Sequence, residues 1–183
     1  MRIIFILGLV FLACGGQKST NTGQVKKYPY MHISVKNYGD IVIKLYPDEA
    51  PKNVKNIIDL TNKGFYNGLK FHRIIKGFVI QGGCPKGDGT GDPGYELEDE
   101  ISPKLKHLKG TVAMANRGPN TNGSQFYICL EPQPRLDGRY TIIGEVAQGM
   151  EVVEKIGDVP TSGPPFDRPL NDVIMEKVWI EEK

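Results

Sequence analysis

Cysteine is scarce in this chain. Of three in 183 residues, Cys84 and Cys129 lie far apart, with no CxxC pair and no histidine near either in sequence, so neither a disulfide framework nor a zinc site is expected. An excess of one charge is missing too: 23 basic residues against 21 acidic give a formal charge of +2. No Lys/Arg stripe is interleaved with aromatics, which argues against nucleic-acid binding. No apolar run reaches the roughly 20 residues that a membrane-spanning helix needs. The glycine-rich stretch 82–94 lacks the GK[ST] ending of a phosphate loop and no helical pattern follows it, so it reads as a plain loop. Internal repeats are absent. What remains is an ordinary globular composition, 39% hydrophobic and 24% charged, long enough for one domain with a sizeable core.

The N-terminus differs from the rest. Arg2 is followed by an apolar run from Ile3 to Ala13 and then Cys14, a pattern that reads as a signal-peptide core. Phe11-Leu12-Ala13-Cys14 is similar to a bacterial lipobox, which implies a signal peptide over 1–13 and lipidation of Cys14. The alternative is a plain secretory signal with an incidental cysteine. Residues 14–29, small and polar at first, are expected to form a flexible tether with a reach of roughly 20 Å. The expected location is extracytoplasmic and membrane-anchored.

Hydrophobic patterning predicts mainly β structure over 30–183. Met31–Val35 and Ile41–Leu45 flank a turn signal at Asn37-Tyr38-Gly39-Asp40. Strand-like runs recur at 70–74, 78–81, 111–115, 125–130, 141–146 and 173–181, making eight. Pro51 suits the first turn of a helix over 52–63, with Val54, Ile57 and Ile58 at helical spacing and Gly64 to end it. Met150–Gly157 reads as a second helix. Many short strands with only two helices predict a closed eight-stranded antiparallel barrel.

Two segments concentrate the chemistry: Phe71-His72-Arg73-Ile74-Ile75-Lys76-Gly77-Phe78-Val79-Ile80-Gln81-Gly82-Gly83, and Met114 through Ile128 with Ala115-Asn116-Arg117 and Gly123-Ser124-Gln125-Phe126-Tyr127. They carry one strand arginine, several amides and a set of aromatics, without an evident nucleophile or acid–base pair, a combination that points to catalysis by binding. Both segments, continued through Leu136-Asp137-Gly138 to Gly144, closely resemble the signature sequences of the cyclophilins, the cyclosporin-binding peptidyl-prolyl isomerases.

This resemblance implies a barrel capped by a helix at each end and an isomerase that acts without a cofactor or metal, as a monomer, on proline-containing segments of unfolded or exported proteins. It implies Arg73 as the catalytic group with Gln81 orienting it. The proline slot is then lined by Phe78, Val79, Tyr127 and Leu136, and Ala115, Asn116, Gln125 and Tyr140 complete the substrate site. A proline-peptide binding module is the alternative from another class.

Several positions depart from the commonest family pattern. Val79 stands where methionine is usual, Tyr127 where phenylalanine is usual, Tyr140 where histidine is common, and Arg117 where a small residue often lines a neighbouring pocket. Arg135 replaces a frequent tryptophan, which implies weak cyclosporin binding at best. His72 is expected on the opposite strand face from Arg73 with a structural hydrogen-bonding role. His32 and His107 have no carboxylate or cysteine partner near them in sequence, and the acidic run Glu96, Glu98, Asp99 and Glu100 reads as a solvated turn.

Overall fold

A computed structural model describes residues 27–182. The expected leader, Cys14 and most of the expected tether lie outside the described residues. The first strand, β1, already begins at Pro29 and runs to Val35. Ahead of it, Tyr28 lies under the Lys44 ammonium at 4.4 Å, so the last residues assigned to the tether pack against the domain.

The order along the chain is β1, β2 (Gly39–Leu45), α1 (Pro51–Asn62), β3 (Arg73–Ile75), β4 (Val79–Gly82), β5 (Thr111–Met114), β6 (Phe126–Cys129), a 3-10 turn at Pro134–Leu136, β7 (Ile142–Gln148), α2 (Met150–Gly157) and β8 (Met175–Glu182). All strand pairs are antiparallel. The lateral order is β3-β4-β6-β5-β7-β2-β1-β8. Register shifts at Ser34/Val35, Val42/Ile43 and Val112/Ala113 mark bulges, which bend strands and increase their twist. Gly144 lies at such a close approach that a Cβ there would run into the Lys44 carbonyl.

The expected closed barrel does not form; the sheet is an open half-barrel. Closure requires β3 to pair with β8, and these are the two ends of the lateral order. The physical reason is that the expected strand over 70–74 splits. Its first half meets the approach to β8 through irregular bonds, Phe71 N–H to the Val173 carbonyl at 2.9 Å and Met175 N–H to the Leu69 carbonyl at 2.8 Å. Its second half, β3, instead gives the Ile74 N–H to the Asp167 carbonyl of a covering loop.

Strand alternation sorts side chains onto two faces. On the inner face Ile33, Ile43, Ile80, Val112, Phe126 and Ile128 pack with Val54 and Ile57 of α1 and Val153 and Ile156 of α2 into the main core. On the other face the alternate residues Val79, Ala113, Tyr127 and Cys129 form a second, smaller apolar cluster with Phe78, Ala115, Leu136 and Tyr140. The second cluster carries the candidate site.

Helix α1 opens with Pro51, and Ala50 ahead of it offers no side-chain cap. The cap comes from far away: the Glu100 carboxylate accepts the backbone N–H groups of Lys52 at 3.1 Å and Asn53 at 2.9 Å. A carboxylate at this end satisfies unpaired donors and opposes the positive end of the helix dipole. The acidic run is thus structural in part: Asp99 accepts the Asn120 N–H at 2.8 Å, while Glu96 and Glu98 are exposed as expected, Glu98 pairing with Lys52 at 2.8 Å.

Candidate active site

Arg73 and Gln81 are directly opposite each other on β3 and β4. The Arg73 Nη1 donates to Gln81 Oε1 at 3.2 Å. Gln81 Nε2 in turn donates to Gln125 Oε1 at 3.1 Å, and Gln125 Nε2 donates to the Gly89 and Gly91 carbonyls, each at 2.9 Å. Each amide thus presents its acceptor toward the guanidinium and its donor toward the loop, which fixes the orientation of the chain of bonds. The loop is held in part by Cys84, whose buried sulfur accepts the N–H groups of Gly89 and Gly91. Gly83 (φ +83°) lets the chain pass against β6, where a Cβ would strike the Ser124 carbonyl. No ion-pair partner of Arg73 occurs among the described residues, so its charge is held by amides alone.

Arg73 stands at the wall of a cavity of about 130 Å³. Phe78, Val79, Tyr127 and Leu136 supply apolar walls, and Tyr140, Gln81, Ala115 and Asn116 complete the lining. Every residue that the sequence nominates for the slot is brought together here, with Gln125 one bond behind. The Tyr140 ring meets Tyr127 edge-on at 5.8 Å, a favoured aromatic geometry. Arg135 lies over the Phe78 ring at 4.5 Å and covers the slot's rim with a cation.

A second cavity, about 70 Å³, shares Gln81, Ala115 and Asn116 with the first. Arg117 crosses its mouth, with Nη2 at 3.1 Å from Glu96 and 3.4 Å from Asp92. Asn116 Nδ2 reaches Asn122 and Asp99 at 3.3 and 3.4 Å, long bonds that leave its carbonyl directed at the Gly118 N–H.

Histidine behaviour differs from the sequence expectation. His72 is buried, and neither ring nitrogen has a hydrogen-bond partner, so the expected hydrogen-bonding role is not fulfilled. Burial first, and the neighbouring Arg73 charge second, push its pKa down to about 4. His32 Nε2 lies 2.9 Å from Glu181. His107, whose side chain is 0% exposed, lies 2.9 Å from Asp137 through Nδ1 and 3.0 Å from the Tyr127 hydroxyl through Nε2. Both carboxylates are distant in sequence, which is why inspection of neighbours missed them; Asp137 sits inside the quoted Leu-Asp-Gly motif, the one available signal. Burial lowers the His107 pKa while Asp137 opposes that shift. Burial also pushes the Cys129 thiol up to about 12, leaving it unreactive near neutral pH.

The open sheet packs two helices on its inner face and carries on the other an apolar cavity flanked by an amide-held arginine. Residues 30–180 match the family described as cyclophilin type peptidyl-prolyl cis-trans isomerase/CLD. The human peptidyl-prolyl cis-trans isomerase-like 1 is 50% identical over 145 residues, covering 77% of this chain and 86% of that protein. Peptidyl-prolyl cis-trans isomerase B of Streptomyces anulatus is 44% identical over 165 residues, covering 80% and 94%. A crystal structure of a Cryptosporidium parvum cyclophilin type isomerase superposes with a TM-score of 0.80 at 36% identity, covering 85% of this chain and 99% of that one. The chain belongs to the cyclophilin-type peptidyl-prolyl cis-trans isomerases.

Proposed function

We propose that this isomerase accelerates X–Pro rotation by holding the twisted amide non-covalently, with Arg73 as the catalytic residue. Rotation faces a barrier of about 18–20 kcal/mol because amide resonance must be broken. As the bond twists, a lone pair develops on the prolyl nitrogen. A guanidinium that donates to that nitrogen stabilises the twisted state more than either planar state, which is what lowers a barrier. The observation that carries this reading is the Arg73–Gln81–Gln125 relay, which aims one uncompensated cation at an apolar slot. In this reading Phe78, Val79, Tyr127 and Leu136 hold the proline ring, while Ala115, Asn116 and Tyr140 complete the substrate groove. A second Cryptosporidium parvum structure, determined in the presence of the dipeptide Ala-Pro, supports proline-containing peptides as the ligand class.

The cellular setting follows from the N-terminus. Lipidation at Cys14 would anchor the domain outside the cytoplasm of a bacterium, where its substrates are exported chains during folding. The lipobox-like Phe11-Leu12-Ala13-Cys14 and the polar segment behind it support this setting. Cyclosporin binds weakly in this reading, because Arg135 replaces the indole common in the family.

The mechanism is tested by kcat/KM on an Ala-Pro peptide between about pH 6 and 9. Arginine keeps its charge throughout that range, and His72 titrates well below it, so a flat profile is expected. A limb near the ordinary histidine pKa that disappears in His72→Gln, with circular dichroism unchanged, contradicts the electrostatic mechanism and makes His72 a proton carrier.

A further inference from the structure

We propose that His107 is a positioning residue for the proline slot, holding two of its walls at a fixed separation through Tyr127 on one side and the Asp137 turn on the other. This rests on the slot reading given above.

Tyr127 lines the slot, and its hydroxyl meets Nε2 of His107, a buried residue outside the slot's lining, at 3.0 Å. The histidine ring is stacked on Tyr127 with centroids 6.1 Å apart and stands edge-on to Tyr140 at 6.5 Å. Its other nitrogen and its backbone N–H both address one oxygen of Asp137, at 2.9 and 2.8 Å. Asp137 directly follows the Pro134–Leu136 turn that delivers another wall residue of the slot, Leu136. His107 therefore bridges strand β6 to the turn that supplies another of the slot's walls. The carboxylate fixes the neutral ring with its proton on Nδ1, so Nε2 is left as the acceptor that a buried tyrosine hydroxyl requires. A phenylalanine at position 127 would have no such bond to make.

The groups around His107 all favour this arrangement. Asp137 and the Tyr140 ring approach from the 134–140 segment, and Tyr127 from β6, with the thiol of Cys129 on the same strand near Tyr127. Lys106, its chain neighbour, holds the second Asp137 oxygen at 3.6 Å. Protonation of His107 places a donor at Nε2. The Tyr127 hydroxyl must then turn its own hydrogen away and accept where it had donated, which changes the geometry of the bond and loosens the wall. Because burial holds the His107 pKa below the ordinary value of 6.5, this loosening belongs to acid rather than to neutral pH.

A double-substitution cycle reads the coupling. His107→Asn retains an amide within reach of Asp137 but falls short of Tyr127. In the parent it should raise KM, and the Kd of an Ala-Pro peptide followed by NMR, by about three- to tenfold, since only part of the cost of orphaning a buried hydroxyl is felt in the slot. The value of kcat should stay within about twofold, because the relay to Arg73 is untouched. In the Tyr127→Phe background the same substitution should change KM by less than about twofold. Equal KM changes in both backgrounds, or none in the parent, overturn the proposal. A second reading needs no His107 variant: KM of the parent should stay level down to about pH 6 and climb as pH falls further toward 5, while that of Tyr127→Phe stays level throughout. A climb shared by both proteins, or absent from the parent, overturns it equally. Loss of activity in the unaltered parent would instead refute the isomerase mechanism, and peptide Kd would still read the coupling between His107 and Tyr127.

Discussion

At position 135 a guanidinium lies 4.5 Å over the Phe78 ring, where an indole would offer an apolar face and a single N–H donor. A cation on this rim disfavours the apolar surface of a cyclic peptide drug. Arg135→Trp should tighten cyclosporin binding by about tenfold or more, read by isothermal titration. Tight binding by the unaltered protein would refute that role for Arg135. His72 bears on stability rather than chemistry. Its folded pKa, about 4, lies below the ordinary 6.5, so the unfolded chain binds the proton more readily. The contribution of neutral His72 is complete above about pH 6.5 and lost as pH falls toward 4, by at most about 3 kcal/mol. Urea unfolding at pH 7 and 4.5 should show His72→Gln losing less stability than the parent; equal losses would contradict this. Arg73, Phe78, Gln81 and Gln125 were legible in the sequence because they sit within contiguous motifs. The His107 partners were not: Tyr127 is 20 residues away and Asp137 is 30, and nothing local encodes a bond that only folding makes.

Among the elements, α1 separates what short-range pattern encodes from what it does not. Pro51 and the apolar spacing of Val54 and Ile57 announce the helix, and its observed limits, Pro51–Asn62, lie within a residue of the expected ones. Its cap, however, is Glu100, 47 and 48 residues downstream. Glu100→Ala leaves two N-terminal donors without a partner and should cost about 1–2 kcal/mol. Chemical denaturation measures it, and a loss below about 0.3 kcal/mol would show that water replaces the carboxylate without penalty. Strand β3 shows the opposite case. The run from Lys70 to Ile74 reads as one strand by composition, but only Arg73–Ile75 pairs in the sheet, since the preceding backbone is bound to the 173–175 segment. That break keeps Arg73 at a sheet edge, beside the slot and not beneath a further strand.

Across the whole molecule the sheet divides labour between its faces: the inner face stores the core, and the outer face builds the slot from the alternate residues of the same strands. Strand count and antiparallel character were legible from turn residues and alternation. Closure was not, because it depends on whether the two end strands meet, a long-range outcome no local pattern reports. The anchoring proposal also belongs to this scale. Full-length protein made in a lipoprotein-processing bacterium should partition into the detergent phase, and Cys14→Ser should remain aqueous, since stable anchoring takes at least two acyl chains. Mass spectrometry finding an unmodified mature N-terminus would contradict it. The central claim, that one amide-held arginine supplies the chemistry, is tested most directly by kcat/KM of Arg73→Ala on an Ala-Pro peptide, with the fold checked by circular dichroism. A fall of about 10²–10³-fold is expected, the range for losing one preorganised donor; a folded variant with near-parental activity would contradict the account.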